Sequence, residues 1–249
     1  LPSGYLKIIS KNFNGGKVVN KSHLMNQVIP FQNKLQTITS KNNIRIKLLH
    51  NPIKGRNNAL NLGFTQSRGD IIKCIDADDT LLKSFFDEMF IMKQYPAHCH
   101  NATLVNENNI PIGSYTFDNN ILKKDYKFVL SNLKSAPRWV WSFNRNIAEY
   151  IFPIPPELSS EDVWFCLIIK KYCNSIFHIN SDLYLYRQHS GGGWGGITNF
   201  SRNVMMYRAR KNLALFPVLF EHKDQLNIDC DSVFCKMIIY YEVLLNEKK

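Results

Sequence analysis

The chain has 249 residues, 45% of them apolar and 20% charged, and its 31 Lys and Arg against 20 Asp and Glu give a formal net charge of +11. That composition excludes a disordered or fibrous chain, and the length suits one large domain, or one domain with a small appendage. No apolar run approaches the ~18–20 residues of a membrane-spanning helix, and a chain this long needs no disulfide or metal to hold a core.

In chain order, Leu6–Ile9 is a short apolar run followed by the turn-rich Asn12-Phe13-Asn14-Gly15-Gly16, and residues 22–35 have helical spacing broken at Pro30. Ile44, Ile46, Leu48 and Leu49 predict a strand that stops at Asn51-Pro52. Leu60, Gly63, Phe64 and Ser67 repeat at helical spacing, and Gly69 predicts a left-handed stop. Ile71–Ile75 reads as a buried strand running into Asp76-Ala77-Asp78-Asp79. From Thr80 to just before Pro96 the pattern is that of an amphipathic helix, and His98-Cys99-His100 reads as a loop after it. Strands and turns are expected to about residue 120, then an aromatic and proline-rich stretch over Ala136–Pro156. A helix over Ser159–Tyr172 follows, then two strands at Ile176–Asn180 and Leu183–Tyr186, a glycine-rich loop from Gly191, and a helical remainder from Ser201. Strands alternating with helices predict an α/β sheet.

Leu1 is not an initiator methionine and no leader-like segment is visible, so a processed chain or a piece of a longer one is expected. The six cysteines form no CxxC pair and no metal ladder, and Cys166 and Cys173 share a helical face, which points to reduced, buried thiols in a cytoplasmic protein. The positive charge favours anionic partners. The densest basic grouping, Arg202, Arg208, Arg210 and Lys211, is too sparse for a nucleic-acid arm.

The acidic cluster at the end of the 71–75 strand carries the most chemistry, because ligands of open α/β sheets bind at the carboxyl ends of strands. Asp76, Asp78 and Asp79 cannot all lie close together, ionised and desolvated, without a cation. A hard divalent ion with a diphosphate would relieve the repulsion. The simpler alternative is that Asp79 or Thr80 caps the next helix, which leaves Asp76 and Asp78 unexplained. Downstream, Ser159-Ser160-Glu161-Asp162 can be read either as a helix cap with its S-x-x-D pattern or as a reactive carboxylate pair.

The stretch Gly55-Arg56-Asn57-Asn58-Ala59-Leu60-Asn61-Leu62-Gly63, continued by Gly69 and Asp76-Ala77-Asp78-Asp79, resembles the nucleotide-sugar-binding half of family 2 glycosyltransferases. Leu60 stands at the family's arginine position, with Arg56 one helical turn earlier as the candidate substitute. Glu161-Asp162, 84 residues beyond Asp78, resembles the family's E-D pair, and Tyr186-Arg187-Gln188-His189 its Y-R-x-H segment. The family's second-strand aspartates, which help hold the nucleoside, have no recognisable counterpart.

The resemblance implies a GT-A fold, a Rossmann-like mixed sheet flanked by helices. The catalytic domain would span about 1–200, with a donor half to about 96 and an acceptor half beyond it, and 201–249 would be a helical extension packed on it. It implies a metal-dependent, inverting transfer from a nucleotide-diphosphate sugar, a UDP-sugar first, to a glycan, lipid-linked or protein acceptor. Asp162 would be the base beside Glu161. Arg56, Asn61, Asp76, Asp78 and Asp79 would bind the donor, and Asp78, Asp76 and His189 would hold Mn²⁺ or Mg²⁺. Trp139, Trp141 and Trp194 are candidates for stacking on an acceptor sugar, with core packing the alternative for the first two. The basic helical end could meet a membrane surface at its cytoplasmic face. The competing functions are a degenerate, non-catalytic carbohydrate- or nucleotide-binding relative and a sugar-phosphate nucleotidyltransferase, for which Gly15-Gly16-Lys17 is a poor nucleotide loop. No nucleic-acid partner is expected.

Overall fold

The computed structural model describes residues 47, 49–188, 202–224, 226 and 231–246. The expectations placed on residues 1–46, on His189 and on the glycine-rich segment with Trp194 lie outside them.

The described residues form a mixed α/β architecture built on one six-stranded sheet. Helix α1 (Arg56–Thr65) precedes β1 (Ile71–Lys73) and β2 (Thr80–Leu81), which lead into two short helices, α2 (Lys83–Asp87) and α3 (Met89–Met92). Next come β3 (Ala97–Val105), β4 (Pro111–Tyr115), α4 (Asn119–Lys123), α5 (Tyr126–Asn132), a 3₁₀ turn (Arg138–Val140) and β5 (Trp141–Asn144). The chain ends with α6 (Arg145–Ile151), α7 (Glu161–Tyr172), β6 (Ile176–Arg187), α8 (Arg202–Glu221) and α9 (Asp231–Asn246).

The strand order is β1-β5-β3-β6-β2. Among the described residues only the β3–β6 pair is parallel. β6 follows β3 along Ala97–Val105, so the other edge of β3 is shared, by β5 at Ala97–Cys99 and by β4 at Ala102–Val105.

Four sequence expectations are corrected here. His98-Cys99-His100 is no loop: all three are buried in the central strand. A strand covered on both faces shows no apolar–polar alternation, and a polar side chain in it can meet a partner on another strand, as His100 does with Lys73 of β1 at 2.5 Å. Thr80-Leu81 forms a strand against β6 instead of opening a helix. Helix α1 stops at Thr65 with Gln66 right-handed, and among the described glycines only Gly55, at φ 136°, has a positive φ. Gly55 therefore lets the chain enter α1 through a conformation that L side chains rarely adopt. The two strands expected over 176–186 are one, with register shifts opposite Asn101.

The core is centred on α7, whose seven residues Val163–Ile169 are all buried. A helix apolar on every side is one enclosed by the rest of the fold, and each such side chain contributes ~1.5–3 kcal/mol on burial. Leu215, Phe216 and Leu219 of α8 and Phe234 of α9 belong to the same apolar cluster. Among the described residues no helix is long and apolar enough to cross a membrane.

Candidate functional site

Antiparallel pairing of β1 with β5 fixes where the acidic turn emerges. After Ile75 the chain turns through Ala77-Asp78, with the Asp79 N–H on the Asp76 carbonyl at 3.3 Å. The turn sends the three carboxylates to different places. Asp76 pairs with the Arg138 guanidinium. Asp79 is buried, accepting from the Tyr184 hydroxyl at 2.8 Å through one oxygen and from the Arg187 N–H at 2.8 Å through the other. Asp78 is exposed.

The protein's own groups thus meet the Asp76 charge and both oxygens of Asp79. Asp79 is no helix cap either, since the cap residue of α2 is Leu82. Burial raises the Asp79 carboxyl to about 7, with Asp76 and Asp78 adding to the rise and the Arg187 and Tyr184 hydrogen bonds opposing it. Among the described residues the three aspartates form no metal-type cluster; the single grouping of three such donors is the surface set Glu157, Glu221 and His222.

The second carboxylate pair opens α7. Ser160 is its cap residue but makes no side-chain cap bond. Ser159 donates its hydroxyl to the Lys211 carbonyl at 2.8 Å, and Asp162 accepts from the Arg138 N–H at 2.7 Å, so the S-x-x-D capping pattern is not formed. Glu161 is only 3% exposed and both its oxygens are committed, one to Arg138 Nε at 3.1 Å and one to Arg56 Nη2 at 2.6 Å. Asp162 is half-buried. Desolvation, then the adjacent Glu161 charge, raises its carboxyl to about 7, against the Arg138 and Arg56 charges.

Arg138, which sequence reasoning missed, is the centre of this arrangement. It is 2% exposed, and burial works against its charge, but Asp76 and Glu161 hold the guanidinium firmly protonated. The local sequence Pro137-Arg138-Trp139 carries no motif for such a role. The only local signal is one arginine in an otherwise apolar, aromatic run. Beneath it, Lys73 of β1 donates to the Trp139 carbonyl and, at 3.3 Å, to the Trp141 carbonyl, which fixes the 3₁₀ turn.

The other expected residues divide. Arg56 is brought to Glu161. Asn61 clasps the backbone of Ile154, donating to its carbonyl at 2.8 Å and accepting from its N–H at 2.7 Å. Trp141 is 0% exposed and packs edge-on against Phe117, a core residue with no open face for a sugar. Trp139, at 3%, is sandwiched in a stack with Tyr184 and Tyr186. Tyr186, which opens the expected Y-R-x-H segment, is half-buried, as is Tyr115, which packs against Trp139 and was not singled out from sequence. For Asn61 the clasp predicts that Asn61→Ala lowers unfolding free energy by about 1–3 kcal/mol. Urea denaturation checks it, and unchanged stability with lost donor binding would assign the side chain to the ligand instead.

No curated protein sequence matches the chain. Among solved structures, S. aureus TarS residues 1–349 in complex with UDP-GlcNAc is similar at 15% identity, TM-score 0.47, over 86% of this chain and 70% of that one. The same TarS segment with UDP gives 14% identity and TM-score 0.47, over 85% and 70%. Against a longer TarS chain the identity is 15% and the TM-score 0.45, with 77% of this chain covering 35% of that one. The family model described as Glycosyl transferase family 2 matches residues 31–126, the segment with the Gly55-opened helix, the aspartate turn and strands β3 and β4. Over those residues the chain is similar to glycosyl transferase family 2.

Proposed function

We propose that the chain moves a sugar from a nucleoside-diphosphate sugar, with UDP-sugars the first candidates, to a hydroxyl of a glycan, lipid-linked or protein acceptor, with inversion. The observation that carries this reading is that two acidic motifs 84 residues apart meet at one buried arginine, beside a half-buried carboxylate with raised proton affinity.

Asp162 is the base. Glu161 cannot serve, because both its oxygens are in ion pairs, whereas Asp162 holds one hydrogen bond from Arg138 and a carboxyl pitched near neutrality, where general-base catalysis is efficient. The acceptor oxygen attacks the anomeric carbon, the bond from that carbon to the diphosphate oxygen breaks, and the hydroxyl proton passes to Asp162. A single displacement of this kind inverts the anomeric centre.

A divalent cation suits the donor end. Mg²⁺ and Mn²⁺ take one or two carboxylates together with substrate phosphates, and Asp78 presents an exposed carboxylate at the turn. Asp79 does not suit this role, with both oxygens occupied. Asp78 would hold the ion, with His189 the second candidate. When bound, the ion offsets the charge of the departing diphosphate. Asp76, its charge met by Arg138, is left to the nucleoside side of the donor. The exposed Phe220, Ile239, Tyr240 and Val243 on α8 and α9 keep a peripheral membrane contact among the proposals.

Thermal unfolding against UDP-, GDP-, TDP- and CMP-sugars, each with Mn²⁺, Mg²⁺ or chelator, tests the donor site. Ligand at a hundred times its Kd adds ~2.7 kcal/mol to the native state. The expected result is a metal-dependent rise for one nucleotide that Asp78→Ala abolishes. No rise with any donor would favour the degenerate binding module.

A further inference from the structure

We propose that Arg138 is the positioning residue of the site: its guanidinium ties the carboxylate at the end of β1 to the carboxylate that opens α7, and its backbone N–H holds the base. The inference rests on the reading of Asp162 as that base.

Three contacts carry it. The Arg138 guanidinium pairs with Asp76 Oδ1 through Nη2 and with Glu161 Oε1 through Nε at 3.1 Å. The Arg138 N–H donates to Asp162 Oδ1 at 2.7 Å. One residue of a three-residue turn therefore touches the donor-side carboxylate and both members of the E-D pair. A planar guanidinium presents several donors in fixed directions, so it can satisfy two carboxylates at once. Lysine carries the same charge at one point and can satisfy only one of them well. The bridge forms only when the β1 end and the α7 start are both in place, so it joins two elements distant in sequence into a single unit. The turn is itself held from below by the Lys73 contacts with the Trp139 and Trp141 carbonyls. Arg138 Nη1 has no partner among the described residues, which leaves a buried donor uncommitted to either carboxylate.

The charged groups facing Asp162 are Glu161 of its own helix, Arg138 of the turn and Arg56 of α1. Tyr115 of β4 and Tyr186 of β6 face it as neutral phenols. Removing the Arg138 charge takes away a cation that favours ionised Asp162, so its proton is held to higher pH.

The test compares wild type, Arg138→Lys and Arg138→Met in two ways. The first is initial-rate transfer across pH with the donor found above. Arg138→Lys is expected to fold, to leave the donor KM within about twofold, and to lose kcat roughly 10- to 100-fold, the effect of a base misplaced by an ångström or less. The acid limb of its kcat/KM profile stays close to that of wild type, whereas that of Arg138→Met moves to higher pH. A scaffold role alone would scale the profile without moving its limb. The second is a carbon-13 NMR titration of the Asp162 carboxyl in the same folded proteins, which needs no turnover. If wild type transfers no sugar, the glycosyltransfer reading fails while this titration still decides the link between Arg138 and Asp162. Should Arg138→Met not fold, Glu161→Gln replaces it, with the Asp162 midpoint expected to fall as a neighbouring negative charge is lost. Full kcat in Arg138→Lys, or an unmoved Asp162 midpoint in folded Arg138→Met and Glu161→Gln, overturns the proposal.

Discussion

Asp162→Asn is expected to lower kcat by ~10²–10⁴-fold, the range for loss of a general base, with donor affinity within about threefold of wild type. The reasoning is local. The asparagine carbonyl still accepts the Arg138 N–H, so the helix start keeps its geometry, but the amide cannot take a proton. In wild type the same carboxyl, raised to about 7 by desolvation and by Glu161, gives the rate a pH signature. The base works when ionised, so kcat/KM rises with pH through about 7 and levels above it. Initial rates at saturating donor, with donor affinity from calorimetry, check both statements. Lost donor binding in a folded Asp162→Asn protein, or a rate flat from pH 5 to 9, would remove Asp162 from this role.

The second large effect is on stability. Glu161→Ala is expected to cost roughly 3–5 kcal/mol, the range for breaking a buried ion pair by removing one partner. For a chain of this size that lowers the unfolding midpoint by roughly 6–20 °C. The cost arises because Arg138, 2% exposed, would keep its charge with one carboxylate instead of two, in a place water does not reach. The control is Arg56→Ala. Its side chain is 39% exposed in the pair with Glu161, so solvent screens the interaction and the loss should stay below ~1 kcal/mol. Calorimetry of the two variants side by side is the measurement. Equal losses would mean that the Arg138–Glu161 pair adds nothing beyond a surface contact.

Both effects depend on a residue that no motif announces, and the reason bears on what a sequence can and cannot disclose. A carboxylate is costly to bury, so a run such as Asp76-Ala77-Asp78-Asp79 behind a β-branched strand, or Glu161-Asp162 ahead of Val163–Ile169, stands out as chemistry without any structure. What relieves each carboxylate is not local. The partners of Asp76, Asp79 and Glu161 lie 62, 105 and 23 residues away. The sequence alone therefore names none of these partners: Arg138 for Asp76 and Glu161, Tyr184 and a backbone N–H for Asp79. The same holds for His98-Cys99-His100, polar enough to read as a loop until Lys73 arrives across the sheet. Trp141 likewise resembled a sugar platform until Phe117 and the core closed over it.

Local rules were legible. The strand expected over Ile71–Ile75 and formed over Ile71–Lys73, the α7 helix and the alternation of strands and helices follow from side-chain period and β-branching, which act over a few residues. Gly55 at the entry to α1 and the buried run of α7 were decided by the sequence itself, through a φ that only glycine accepts readily and a helix too apolar to face water. The tertiary structure alone decided that Thr80-Leu81 pairs with β6, that Asn61 clasps Ile154, and that one buried arginine joins the strand-end aspartate to the α7 carboxylates. Such pairings depend on which distant groups the sheet brings within hydrogen-bond reach, and burial makes them binding by removing water as the alternative partner.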